Sequence, residues 1–292
     1  MSNLLSVGDL IDQSWNLYRA QFRAFMKLSG WMLIIAVLNI IALFLYPTAG
    51  ALTYHSTLTT PELCGVILYA ITDFLISPLL GLWIFISVTQ AANAAASGQQ
   101  IQPTSIFRGT KNRYFSALVV VVLVTCMIIL AQLITLGPGI LFELIGGWMQ
   151  NAVVLAAAAI LMIVGAFISC ILTTKWILHF YMASYANVID GAQKMDALTR
   201  SKNLIQGRFW NVLVRVVLPK FVFILFSIFF ITFISLSIQI FLNGSSLLGT
   251  DLANRMSNLN DTVLPLLAAI LINPLIILSD VILYKHLNGP RT

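Results

Sequence analysis

The chain has 292 residues, 59% of them hydrophobic and 9% charged, with 16 Lys and Arg against 10 Asp and Glu for a net charge of +6. About a quarter of a soluble domain's residues are charged, so this composition excludes one and indicates a membrane protein. The basic balance would suit a nucleic-acid partner, but where the charges lie argues against one.

Six apolar runs occupy 28–46, 64–88, 115–136, 152–172, 221–242 and 263–283. Each is about 20 residues, the length of helix that crosses roughly 30 Å of hydrocarbon. No water is available at that depth to satisfy backbone groups, so each run is expected to be helical. The expectation is an all-α polytopic protein with a single integral membrane domain over 1–292, and the spans leave no room for a soluble domain. The segments 47–63, 137–151 and 243–262 carry one basic residue, Arg255, against Glu62, Glu143, Asp251 and Asp261. The other fifteen cations fall in the N-terminal segment, the two remaining connections with their flanks, and the tail. Lys and Arg stay on the cytoplasmic side during insertion, which puts both termini inside and makes the basic face a topology signal and an anionic-lipid contact.

In chain order, Ser6 and Asp9 form a capping pair at the start of a helix. Val7, Leu10, Ile11, Trp15, Tyr18, Phe22, Phe25 and Met26 then recur at spacings of three and four, while Asp12, Asn16, Arg19, Arg23 and Lys27 share the polar face. This amphipathic helix is suited either to lie in the membrane interface or to pack on other cytoplasmic elements. Asp9 and Asp12 interrupt the segment ahead of the first apolar run, unlike a cleavable signal. The second span holds Asp73 well inside it, followed by Ser77 and Pro78, where a kink is expected. A second unit opens at Pro103 with Arg108, Lys111 and Arg113. Gly137, Pro138 and Gly139 are expected to break the chain outside. The fourth span is rich in Ala and Gly, which marks it as the candidate centre of the bundle. Cys64, Cys126 and Cys170 fall within spans and are expected to be buried small apolar residues.

The third unit is the clearest. Ser14 to Leu17 align with Ser201 to Leu204, a shift that also brings Phe22 onto Phe209, and Leu75 to Leu80 match Leu271 to Ile276 at nearly the same shift. Two separate matches that agree so closely indicate three parallel repeats of amphipathic helix plus helical hairpin, over about 1–98, 99–189 and 190–292.

The segments SVGDLIDQSWNLYRAQF, DALTRSKNLIQGRFWNVL and NPLIILSDVILYKHL together resemble the multi-pass membrane domain that accompanies some glycerophosphoryl diester phosphodiesterases and also stands alone in prokaryotes. The resemblance implies a six-helix domain in a prokaryotic plasma membrane. It carries over no activity, since the phosphodiesterase reaction belongs to a soluble barrel for which this chain has no segment.

Residues that announce chemistry are sparse. His55, His179 and His286 are far apart, no HExxH, GxSxG or phosphate-binding glycine loop is present, and no catalytic residue, metal site or cofactor is expected. Asp73 is the strongest anomaly, because an ionised carboxylate at that depth costs several kcal/mol unless paired or wet. With Ser77 and Asn273, which begin the two Pro kinks, it makes a candidate intramembrane polar site. Asp280 reads as a boundary residue near Lys285. Arg19, Arg23, Lys111, Arg113, Arg200, Lys202 and Arg208 are the candidate contacts for anionic headgroups. The leading expectation is a non-enzymatic membrane protein that binds or organises anionic lipid or partner membrane proteins; the alternative is a small carrier using Asp73 and the kinked helices.

Overall fold

The computed structural model describes residues 5–47, 58–244 and 250–289. Among them the secondary structure is helical throughout: α1 Val7–Ala20, α2 Phe22–Ser29, α3 Met32–Leu45, α4 Thr60–Ile71, a π-helical turn Thr72–Ile76, α5 Ser77–Ala96, α6 Pro103–Met149, α7 Ala152–Tyr181, α8 Ala183–Asp190, α9 Lys194–Ile205, α10 Phe209–Gly244 and α11 Thr250–Asn288. Five helical stretches are long and apolar enough to cross a membrane, and the pair α2 and α3, bent by 42°, makes a sixth. His55 lies outside the described residues.

Local chemistry sets the ends of these helices. Ser6 Oγ accepts from the Asp9 backbone N–H at 3.1 Å and donates to Asp9 Oδ2 at 2.6 Å, closing the expected cap of α1. At α4, Glu62 Oε2 accepts from the Thr59 backbone N–H at 2.8 Å and from the Thr59 hydroxyl at 2.7 Å. Asn151 Oδ1 accepts from the Val153 and Val154 amides and caps α7. Gly191 and Gly207, at φ +75° and +79°, end α8 and separate α9 from α10, a backbone region that glycine enters without steric cost.

Two expected connections are largely helix instead. α6 runs unbroken through Pro138 to Met149, so the chain turns at Gln150 and Asn151 rather than at 137–139. A proline removes one backbone hydrogen bond, and an apolar helix without water to take over its carbonyls continues through it. The glycines around Pro138 serve packing. A Cβ at Gly139 would fall 2.8 Å from Met162 Cγ, one at Gly146 3.0 Å from Leu155, and one at Gly165 would collide with the Thr135 carbonyl oxygen. α6 and α7 therefore approach along a glycine-lined seam. The segment 243–262 likewise belongs mostly to α11, which carries Pro265 and Pro274 inside it.

The chain divides into two compact units, 1–114 with 214–292, and 115–213, whose boundaries fall within α6 and α10. In the first, α11 is the central helix, packed by α1, α2, α3 and α5. Of its most apolar stretch 61% is buried, against 17% or less in each of the other four long helices. The fourth run, in α7, is one of those four, and its small residues serve the seam with α6. α1 buries Leu10, Ser14 and Tyr18 against α11 and keeps Trp15 exposed. The core is unevenly placed. Leu275, Leu278, Val281, Leu283 and Tyr284 of α11 are fully or nearly buried, together with Phe25, Leu28, Ile86, Val88 and Ala92, whereas 58–83 and 252–267 keep most residues at least partly exposed.

In the second unit the core is Val120, Ala183, Ala197 and Leu198, flanked by Val124, Met127, Phe180 and Ala192. Asn187 Nδ2 ties α8 to α6 at Ser116 Oγ, 2.7 Å, and to the Ala192 carbonyl at 2.6 Å. Farther along the α6 and α7 hairpin, Gln132 donates to Thr173 Oγ1 at 2.8 Å and accepts from Ser169 at 2.6 Å. Cys64, Cys126 and Cys170 are all exposed on apolar helix faces, contrary to the expected burial; in a span, apolar residues face outward as readily as inward.

Candidate functional site

The expected intramembrane polar site is dispersed. Asp73 is exposed in the π-helical turn between exposed Phe74 and Ile71, Ser77 is half-buried, and Asn273 lies half-buried with Nδ2 3.9 Å from Met32 Sδ. Among the described residues neither Asp73 nor Ser77 hydrogen bonds to the other or to Asn273. The extra residue of a π turn comes just ahead of Pro78, where the backbone must accommodate a missing N–H.

The basic residues divide by unit. In the first, Arg19, Arg23 and Lys111 are exposed and Arg113 half-buried. In the second, Lys202 is exposed, Arg208 is half-buried, and Arg200 is drawn into an ion pair with Asp190 at 2.9 Å. One cluster there is tightly built. The Ser201 hydroxyl donates to the His179 carbonyl at 2.6 Å, fastening α9 to α7. The His179 ring meets Phe209 edge-on at 6.0 Å, and Phe209 in turn meets Trp210 at 5.5 Å. Lys175 from α7 and Lys202 from α9 both bear electrostatically on His179, and both are exposed. Trp210, 73% exposed, follows Phe209 in sequence. The two cations stand on helices that the Ser201 to His179 hydrogen bond ties together. Sequence reading named Lys202 and Arg208 but missed Lys175, whose register on α7 only the α7–α9 packing reveals.

The first unit holds an apolar groove of about 420 Å³ formed by α1 and the start of α2 with α10 and α11. Its wall carries Trp15, Tyr18 and Phe22 on one side and Phe223, Phe226 and Leu275 on the other. Ser227 is the one aliphatic hydroxyl in the lining. Tyr18 donates its own hydroxyl to the Leu271 carbonyl at 2.8 Å, and burial pushes its pKa up to about 12. Arg215 Nε donates to the Leu5 carbonyl at 2.7 Å, tying α10 to the residues just ahead of α1.

At one end of that groove lies an ion pair that sequence reading assigned differently. Asp280, 2% exposed, meets Lys220 Nζ at 3.0 Å across α10 and α11. It is a buried partner of Lys220. Lys285 turns instead to the end of α5, donating to the Asn93 carbonyl at 3.2 Å and Ser97 Oγ at 2.5 Å. Arg255 does the same for α3, donating to the Phe44 and Tyr46 carbonyls at 2.7 and 2.8 Å. Both cations donate to carbonyls at a helix C-terminus, where the helix dipole favours a positive charge. The signal for the ion pair was present as a lone base and a lone acid at matching ends of the last two apolar runs.

Large hydrophobic side chains are exposed along α3, α4, α6, α7 and α10, among them Phe74, Phe115, Trp148, Phe167 and Phe229. Such continuous apolar faces are foreign to a water-soluble surface. With helices of this length they define an all-helical, polytopic membrane protein. Among the described residues no group of three or more His, Cys, Asp or Glu side chains gathers where a metal could bind. Comparison with protein-family models, with characterised proteins and with solved structures finds no match to this chain.

Proposed function

We propose that this protein is a non-enzymatic membrane protein that binds and organises anionic lipid at the cytoplasmic face of a plasma membrane, with both termini on that side. The observation that carries the reading is that the Ser201 hydroxyl fastens α9 to α7 at the His179 carbonyl, so that the exposed Lys202 and Lys175 stand on two helices fixed together, with an exposed Trp210 following Phe209 at the His179 ring. Two ammonium groups on fixed helices offer a phosphate a charged seat, and an exposed indole belongs at headgroup level. Arg19, Arg23 and Lys111 supply further exposed cations on helices whose opposite faces are packed. Each cation near a membrane surface contributes about 1 kcal/mol toward anionic lipid, so Lys175→Gln with Lys202→Gln should lower the preference roughly tenfold or more. The measurement is native mass spectrometry from nanodiscs of phosphatidylglycerol and phosphatidylcholine. Equal retention of the two lipids by the unaltered protein would overturn the reading.

The repeat belongs to the same proposal. Leu10, Ile106 and Ala197 are buried in register, and so, one turn on, are the hydroxyls of Ser14, Thr110 and Ser201. Ser14 and Thr110 each donate to the carbonyl one turn back, at Leu10 and Ile106. Tyr18 and Tyr114 follow, donating to Leu271 and Leu79, which lie within one turn of each other in the aligned kinked spans. α2 and α10 begin at Phe22 and Phe209, the two residues that the sequence alignment superposes. This register supports a thrice-used helix that docks one face and leaves cations on the other.

One observation favours a carrier as the second reading. A Cβ at Gly65 would touch Leu45, so about two turns farther along α3 and α4 Asn39 and Thr72 are level. Both are buried, with Asn39 Oδ1 and Thr72 Oγ1 unpartnered, next to Asp73. An intramembrane carboxylate beside open polar atoms is a place for a proton or cation. Under this reading Asp73→Asn abolishes proton flux into pyranine-loaded vesicles; unchanged flux retires it.

A further inference from the structure

We propose that the exposed face of α4 and α5 around Asp73 receives one transmembrane helix of another membrane protein, whose Lys or Arg near mid-span pairs with the Asp73 carboxylate. The inference goes beyond the lipid reading and gives Asp73 a use that the carrier reading does not. The six apolar runs contain two acids, Asp73 and Asp280, and no Lys, Arg or His. Asp280 is buried, and Lys220, directly before the fifth run, reaches it at 3.0 Å. Asp73 has no such neighbour: among the described residues it makes no ion pair or hydrogen bond. The stretches outside them hold no Lys or Arg but Arg291 in the C-terminal tail. The run 64–88 is centred on Ile76, which sets Asp73 about 5 Å from the middle of the bilayer. So short a side chain cannot reach headgroups from there, and a carboxylate exposed at that depth calls for a cation that this chain does not supply.

The setting narrows what brings that cation. A lipid headgroup stays at the interface, and a second copy of this chain has no Lys or Arg within its spans to offer. A helix of another protein with one basic residue near its middle meets both conditions. The surface suits a helix. Ile67, Ile71, Phe74 and Leu75 are exposed at spacings of three and four and form one apolar stripe, with Phe74 81% exposed. The π turn Thr72–Ile76 buries Thr72 fully yet leaves Asp73, Phe74 and Leu75 exposed in succession, so the carboxylate stands at the edge of the stripe. One turn apart from it and from each other follow Ser77 and Gly81. A Cβ at Gly81 would meet nothing within 4 Å, which leaves room for a partner backbone to come close.

The probe is a synthetic membrane-spanning helix of leucine and alanine with one arginine at its midpoint and an acceptor dye at one end. The protein carries a donor dye at Lys111→Cys, with Cys64, Cys126 and Cys170 replaced by Ala, and the two are combined in phosphatidylcholine vesicles. Energy transfer should show the arginine peptide binding at least about fivefold more tightly than the same peptide with leucine at that position. Asp73→Asn should remove the difference. Asp73→Lys should lose the arginine peptide and gain one with glutamate at its midpoint. Gly81→Leu should weaken binding of the arginine peptide, whereas Phe229→Leu, on an exposed face of α10, should leave it unchanged. Unfolding midpoints identify any variant that fails to fold, and the Asp73→Asn comparison decides the matter without the others. An arginine preference that is absent, or that survives Asp73→Asn, overturns the proposal. So does a dimer of the protein alone that Asp73→Asn dissociates, or a proton flux through the protein alone that Asp73→Asn abolishes.

Discussion

At the residue scale, the charges of this protein do more than set its orientation. Lys220 and Asp280 hold one another in an apolar setting, where each ion would be expensive alone. Lys220→Met leaves the Asp280 carboxylate without its cation and should lower stability in detergent by about 3 kcal/mol or more; Lys220→Met with Asp280→Leu should recover most of it. Thermal unfolding of the three proteins checks the order. Tyr18 gives a pH signature. Its pKa is raised from 10.0 to about 12 by burial, so the neutral phenol's contribution is complete below pH 10 and is lost as pH climbs toward 12. Unfolding midpoints followed between about pH 9 and 12 should fall more steeply for the native protein than for Tyr18→Phe. Pairings within one turn, such as Ser6 with Asp9, are legible in a sequence because local geometry alone brings them together. Asp280 and Lys220 lie on different helices, far apart in the chain, so the sequence, which places Lys285 near Asp280, does not show this pairing.

At the element scale, glycine and proline proved to have two meanings. Gly207 separates two helices at a φ of +79°, a region that glycine enters without steric cost and few other residues adopt. Gly137, Pro138 and Gly139 carry the same letters as a turn yet sit inside the 47-residue α6. What differs is the surroundings: apolar sequence on both sides gives the chain nowhere to leave the helix, and α7 needs the small residues for close approach. Gly165→Leu should therefore part α6 from α7, since even a Cβ there meets the Thr135 carbonyl, whereas Gly147→Leu, with open space around it, should be tolerated. Protease protection of the hairpin or the unfolding midpoint distinguishes the two, with a loss of several degrees expected only for Gly165→Leu. The apolar runs themselves were legible in place and kind. Their ends were not, because α6, α7, α10 and α11 all continue past the purely apolar stretch into charged sequence.

At the scale of the whole molecule, cations gather where the helices extend past their apolar runs. The proposed orientation would put Lys111 and Lys202 on one side of the membrane and Glu143 on the other. Single-cysteine variants at these three sites, made in a background with Cys64, Cys126 and Cys170 replaced by Ala, should react with an impermeant maleimide from inside for the first two and from outside for the third. Lys202→Cys reacting from outside would defeat both the orientation and the lipid reading built on it.

Burial in the first unit is concentrated in the last third of α11 and thins out toward Leu252. Side-chain interlock thus secures one extremity, while the other is kept in shape by whatever fluid surrounds it. Such a molecule takes part of its cohesion from its environment: short-chain detergents should fray the far ends of α3, α4 and α11 first, and chain length in the host bilayer becomes a variable that tunes its form.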